Sequence, residues 1–229
     1  INIFTDITNA RKGFARRHDF HQEMMIVDDK QVELSCRSEY PYRFRLTKDG
    51  ETLRSEELDK ESFSIDMSGL AQGIYEIEFT PGDAVASRAQ KVTRQPLSFY
   101  YAPEGTDALS EEVDCFFMEM PDEPAVMMGA SRGPVWAVAE LYGSPHTLLE
   151  RRIVHIEGVK GEKSSLTKIG FEKKEHYPSE LQIELFFFKD YSSFKYTASY
   201  KAPAIEYRLP LSISRFTDKT LPGSTYKIS

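Results

Sequence analysis

Histidine, cysteine and paired carboxylates do much of the chemistry in proteins, and this chain carries five histidines and two cysteines among 229 residues. His18 and His21 share one short stretch with Glu23, and two imidazoles with a carboxylate are zinc ligands by type. Their spacing is not that of a zinc-protease helix, which sets two histidines four apart with a glutamate directly after the first. We therefore expect a solvated N-terminal segment there rather than a metal site. His146, His155 and His176 stand alone in sequence, with no nucleophile and base arranged beside them. Gly129-Ala130-Ser131-Arg132-Gly133 has the glycines of a phosphate loop. It lacks the Gly-Lys-Ser/Thr ending that supplies the lysine and the magnesium ligand, so it reads as a turn between strands. Glu56, Glu57, Asp59 and Glu61 form a charge run without the alternating oxygen ligands of a calcium loop, and read as a solvated face. No catalytic, cofactor-binding or metal-binding residue is assigned, no cofactor is expected, and the chain is expected not to be an enzyme.

Cys36 and Cys115 lie about 80 residues apart, and two cysteines neither make a disulfide framework nor fix a compartment. They are expected as half-buried free thiols on different strands of different domains. Lysine plus arginine total 29 against 36 for aspartate plus glutamate, a net charge of −7, which speaks against nucleic acid as a partner. The small basic cluster of Arg11, Lys12, Arg16 and Arg17 is then expected to serve surface solubility or a linker. A hydrophobic fraction of 40% with 12% aromatics is that of a globular chain. No stretch approaches the roughly 18 apolar residues of a membrane-spanning helix. Ile1 at the start reads as a processed or partial chain, with any signal peptide or anchor lying outside it.

The elements that must position these residues are strands, because apolar and polar residues alternate with a period of two from residue 31 onward. Val32, Leu34 and Cys36 share one face; so do Tyr42, Phe44 and Leu46, followed by Asp49-Gly50 where a tight hairpin needs positive φ. Phe63, Ile65 and Met67 make a third strand, and Tyr75, Ile77 and Phe79 a fourth that Pro81-Gly82 closes. Beyond these the pattern resumes in Val113, Cys115 and Phe117, then Trp136, Val138 and Tyr142, then Leu181, Ile183, Leu185 and Phe187. Tyr196, Ala198 and Tyr200 follow, with Leu209 to Ile213 running toward the end. Helical periodicity is weak except over residues 5–24, where a short helix is expected. The fold class is all-β, with two tandem immunoglobulin-like antiparallel sandwiches. Gln95-Pro96 and Ala102-Pro103-Glu104-Gly105 read as the connection, giving domains at 1–95 and 96–229. Residues 158–165 read as an exposed polar loop.

Twelve tyrosines and Trp136 have the chemistry to line a groove for a sugar or a peptide. Phe186, Phe187 and Phe188 in a row put at least one large apolar side chain on the face opposite the others. Covering of that face by the chain's own domains is expected.

From about Glu123 to the end the chain resembles a segment of bacterial alpha-2-macroglobulin-like proteins. Ala125 to Ser131 looks like that family's strand ending in a small-residue turn, and Val135 to Gly143 like its next strand, with Leu148-Leu149-Glu150 entering another. Phe186-Phe187-Phe188-Lys189-Asp190 is similar to the strand that closes in a short Lys-Asp turn. Phe216-Thr217-Asp218-Lys219-Thr220-Leu221-Pro222-Gly223 resembles the signature at the start of a following macroglobulin-type domain, so residues 212–229 are expected to lead into one. Asp66 to Tyr75 looks like the turn before a late strand in many secreted bacterial immunoglobulin-like modules.

The resemblance implies macroglobulin-type sandwiches in a non-catalytic, extracytoplasmic structural or interaction module of a larger chain, linked to protease inhibition. The implied location is the periplasm or cell surface, with outer-membrane association in some relatives. Implied partners are neighbouring domains of the larger chain, proteases and cell-envelope proteins. The family's thioester needs Cys-Gly-Glu-Gln; here Cys36 is followed by Arg37 and Cys115 by Phe116, so covalent trapping by this segment is excluded. If a bait segment exists here, it is expected at 102–112 or at 158–165, which bears Lys160 and Lys163. The alternative is a carbohydrate- or peptide-binding sandwich.

Overall fold

Sixteen strands and no helix form among the described residues of the computed structural model. These residues are 4–17, 23–38, 41–82, 96–106, 108–110, 112–130, 134–157, 166–189 and 192–202. In chain order the strands of the first half are β1 (Phe4–Ile7), β2 (Arg11–Arg17), β3 (Glu23–Val27), β4 (Gln31–Arg37), β5 (Tyr42–Lys48), β6 (Glu51–Leu58), β7 (Ser62–Asp66) and β8 (Gly73–Pro81). The second half supplies β9 (Leu97–Tyr101), β10 (Val113–Glu119), β11 (Ala125–Ala130), β12 (Val135–Gly143), β13 (Thr147–Ile156), β14 (Thr167–Gly170), β15 (Glu180–Lys189) and β16 (Ser192–Lys201). The expected all-β class holds. The short helix expected over 5–24 is replaced by β1, β2 and the start of β3. His18, His21, residues 158–165 and residues 203–229, with their resemblance signature, lie outside the described residues.

Three sheets result: a nine-stranded one ordered β14-β11-β10-β2-β3-β9-β8-β5-β6, a three-stranded β1-β4-β7 and a four-stranded β13-β12-β15-β16. All neighbours are antiparallel except β3 and β9, which run parallel. Side-chain parity, carried along the register, shows how they stack. Phe14, Phe117 and Met128 lie opposite one another and share a face; Ala15, Phe116 and Met24 occupy the other. Further along, Met25, Phe99 and Tyr75 continue the first face, and Ile26, Tyr100 and Ile74 the second. The three-stranded sheet packs on the first face at the β8-β5 end, where Val32, Leu34, Cys36 and Ile65 meet Phe44, Ile77 and Phe99. The four-stranded sheet packs on that same face at the β10-β11 end, where Ala137, Leu141, Leu185 and Phe187 meet Phe117 and Met128. Two sandwiches thus stand side by side on one shared sheet.

The second face is covered in its middle by the chain between β9 and β10. Leu109 is buried there against Ile26, Tyr100 and Phe116. Gln72 Nε2 donates to the Ala108 carbonyl at 2.7 Å, Ser110 N–H to the Tyr100 hydroxyl at 3.1 Å and Ile74 N–H to Glu112 Oε2 at 3.2 Å. Covered on both sides, β10 is buried continuously from Val113 to Phe117 instead of alternating. The region read as a connection therefore contains a strand, β9, and a packed segment.

The division expected at residue 96 falls between β8 and β9, which pair from Gly73↔Tyr101 to Ile77↔Leu97. Hydrogen bonding does not break there: β2 also pairs with β10, and β3 with β9. Alternation is otherwise realised as read in β4, β5, β8 and β15. Asp49 and Gly50 take φ of 51° and 81° in the β5-β6 hairpin, the left-handed pair such a turn needs. The carboxylate run falls partly on β6, the exposed and charged edge of the large sheet.

Candidate functional site

One phase reading is reversed by the structure. In β12 the inward residues are Val135, Ala137, Ala139 and Leu141, while Trp136 is 65% exposed and Val138 and Tyr142 also face outward. The reason is volume: Phe117, Phe187, Phe194 and Tyr196 crowd the facing space, with Phe117 and Tyr196 stacked at 4.8 Å and Phe187 and Phe194 at 4.7 Å. A close-packed interior then takes alanines opposite these rings and turns the tryptophan out.

The outer face of the four-stranded sheet consequently carries both aromatic and charged side chains. At the end where β12 begins, Trp136 packs against His155, with ring centres 4.5 Å apart and planes tilted by 36°. Beside it Ile153 is 71% and Phe188 79% exposed, so no part of the described chain covers Phe188. Phe186 shares that face, with Lys195 Nζ 5.0 Å above its ring, while Phe187 points into the core.

Across the middle of the face runs a band of charge. Glu140 and Glu184 sit directly opposite each other on β12 and β15, and Glu140 is opposite Arg151 on β13. Arg151 Nε donates to Glu140 Oε1 at 2.6 Å and the Tyr142 hydroxyl donates to Oε2 at 2.6 Å. Lys195 Nζ lies 3.0 Å from Glu184 Oε2, and Gln182 Nε2 donates to Oε1 at 2.9 Å. The Tyr142 hydroxyl, then Arg151, hold the Glu140 carboxyl below the usual carboxylate range despite its partial desolvation; the same bond raises the Tyr142 phenol. A carboxyl held below its ordinary range is ionised at neutral pH, so Glu140 is not poised as a general acid.

At the far end of the face, Tyr142 and His146 stack in parallel planes at 4.2 Å. An open pocket of about 460 Å³ adjoins them, lined also by Gln182, Ser199, Lys201 and Lys12. His146 and His155 therefore belong to opposite ends of the β12-β13 hairpin, and His176 packs separately against Tyr177 at 4.9 Å. No group of three or more His, Cys, Asp or Glu side chains is placed to hold a metal among the described residues.

The remaining candidates are structural. Arg11 pairs with Asp28 at 3.2 Å and Arg16 with Asp114 at 3.2 Å, its guanidinium 4.2 Å over the Phe194 ring; Arg17 lies 3.9 Å from Glu76. The basic cluster is thus part of an interior strand of the large sheet rather than a linker, with Lys12 exposed and Arg11 and Arg17 partly exposed at the surface. Cys36 and Cys115 are fully buried thiols on separate sheets, deeper than expected; desolvation pushes the Cys36 thiol up, against a hydrogen bond with Tyr42. Sequence reading missed the Glu140–Glu184 pair, although Trp136, Glu140 and Tyr142 share one parity.

No protein-family model matches this chain, and no curated protein does. Among solved structures it is similar to dimeric latent PorU from Porphyromonas gingivalis, at 11% identity and a TM-score of 0.35, covering 88% of this chain and 20% of that one. It is similar to Escherichia coli alpha-2-macroglobulin activated by porcine elastase at 13% identity and a TM-score of 0.30, covering 85% and 20%. A biofilm-associated protein's BSP domain matches at 10% identity and a TM-score of 0.28, covering 85% and 30%. The chain spans less than a third of each of these solved chains. Superpositions this loose assign neither family nor role. No helix among the described residues is long and apolar enough to cross a membrane.

Proposed function

We propose that the chain is a non-catalytic β-sandwich module of a larger extracytoplasmic protein of macroglobulin type, working by binding and spacing. The observation that carries this reading is the division of labour on its surface. Charged groups that would otherwise be candidates for chemistry are tied up in cross-strand pairs, as in Arg151–Glu140 and Lys195–Glu184. The three most exposed large apolar side chains among the described residues, Trp136, Ile153 and Phe188, gather instead on one sheet face. Such a surface makes contacts rather than bonds. Its partners in this reading are neighbouring domains of the larger chain and envelope proteins, at the periplasmic or outer cell surface.

A link to protease inhibition belongs to this reading only through a cleavable segment. The stretch at 102–112 is poorly suited, because Leu109 is buried and Ala108 and Ser110 are hydrogen-bonded. That leaves 158–165. Limited proteolysis of the native chain with trace trypsin and, in parallel, with a trace of the broad-specificity protease proteinase K, the only one of the two able to cut 102–112, which holds no Lys or Arg, tests it by mass mapping of the cuts and size-exclusion chromatography. We expect 102–110 to resist. One early cut after Lys160 or Lys163 with a change in hydrodynamic size supports the protease-responsive role, and cutting there with no change in size removes it.

A second reading is favoured by the same exposed residues: a ligand-binding module for carbohydrate or peptide, using the outer face of the four-stranded sheet.

A further inference from the structure

We propose that the outer face of the four-stranded sheet binds a neutral, linear oligosaccharide lying along β12. This rests on the ligand-binding reading above and names its ligand class. The first observation is the arrangement of rings. Trp136 with His155 and Tyr142 with His146 form two aromatic platforms on one face. They are six residues apart on one strand, about 20 Å at the rise of an extended chain, which is the reach of several pyranose rings in line. A pyranose presents a flat C–H face to an aromatic ring and its hydroxyls at the edges, so it uses both platforms and whatever polar groups lie between them.

The second observation is what lies between. Arg151 and Lys195, which close over the buried Glu140 and Glu184 carboxylates, present cationic donors, and Gln182 and Ser199 present groups that both donate and accept. Sugar hydroxyls both donate and accept, and such a band satisfies them in either sense. Its charges cancel, two carboxylates against two cations, so the face neither attracts a polyanion such as nucleic acid or an acidic polysaccharide nor repels a neutral chain.

A peptide fits this face less well. β12 and β15 are interior strands whose backbone groups are committed to neighbours on both sides. An extended peptide gains most of its affinity from backbone ladder bonds, which in this sheet only the edge strands β13 and β16 offer, not the face between them.

The test uses the 229-residue chain on two arrays in parallel: neutral oligosaccharides graded from disaccharide to octasaccharide with acidic glycans as a control, and extended peptides. The expected result is binding to at least one neutral series, strengthening with length until the chain spans both platforms. Trp136→Ala then weakens binding by about tenfold or more, as does His146→Ala, with unchanged circular dichroism spectra and thermal midpoints. Tyr142→Phe, which keeps the ring and removes its bond to Glu140, retains the length dependence. Binding confined to acidic glycans, or binding that both alanine variants leave intact, overturns the proposal. Binding to peptides alone with loss in Trp136→Ala overturns the glycan assignment and keeps the ligand-binding reading. Binding on neither array overturns both.

Discussion

Glu140 faces outward from its sheet yet is only 7% exposed, because Arg151, Tyr142 and Lys195 close over it. Its carboxyl titrates below the usual range in the folded chain, so the folded state binds fewer protons than the unfolded chain in acid. The stabilisation is therefore present above the unfolded carboxylate value near 4.3 and is lost as pH falls through the lower, folded one. Glu140→Gln should reduce the unfolding free energy at neutral pH by about 1 kcal/mol, the exposed Arg151 side screening much of the pairing. The deficit should close on acidification, which urea titrations at pH 7 and pH 3 will read. A deficit that persists at pH 3 would show that packing of the Tyr142 ring, not charge, is what the substitution removes. By contrast Trp136→Ala should change stability by no more than about 0.5 kcal/mol, since the ring is mostly in solvent. That residue also marks a limit of sequence reading. Alternation correctly separates the two faces of β12, but which face is inner depends on the volume of Phe117 and Phe187, elements away in the chain.

At the scale of the element, strands with strong alternation such as β4 and β5 were legible because their own side chains report burial on one side only. β2 and β9 were harder. β2 reads as a basic segment since the acids that answer Arg11, Arg16 and Arg17 come from Asp28, Asp114 and Glu76. Phe99, Tyr100 and Tyr101 of β9 are all buried because both faces of the sheet are covered there, which erases the period of two. Gly13 shows how closely β2 is held. It has φ of 133°, and a Cβ there would run into the carbonyl oxygen of Phe117 on β10. Gly13→Ala should therefore lower the thermal midpoint far more than Gly50→Ala, whose Cβ meets open space and which loses only about 1 kcal/mol from its left-handed turn. Differential scanning calorimetry of the two variants compares them directly, and equal shifts would mean that β2 is not locked against β10. Phe117→Ala, which empties the contact with Phe14, Phe187 and Tyr196, should cost about 3–5 kcal/mol in the same experiment.

For the whole molecule, the question is whether two sandwiches on one sheet behave as two units. Composition and turn signals suggested a break at residue 96, because proline and glycine do punctuate the chain there. Punctuation in sequence does not reveal pairing between distant strands. In the folded chain β9 is the strand that joins β3 to β8, so residues 1–95 alone would leave β2 and β3 detached from β8, β5 and β6. Residues 96–229 alone would leave β10 without β2, taking Ala15, Met24, Ile26 and Ile74 from around Phe116 and Phe14 from beside Phe117. The apolar surface so uncovered is a large fraction of what stabilises a domain of this size. Neither fragment should then unfold cooperatively, and the intact chain should show coincident urea transitions by far- and near-ultraviolet circular dichroism. Mixing the two fragments should recover near-ultraviolet signal, since each carries the missing neighbours of the other's central strands. Separate cooperative transitions in the two fragments, at the midpoints seen in the intact chain, would mean that the shared sheet is a contact between independent sandwiches. In that case the interior strands β2, β3, β9 and β10 would contribute register but little coupling, and a cut at residue 96 would be harmless.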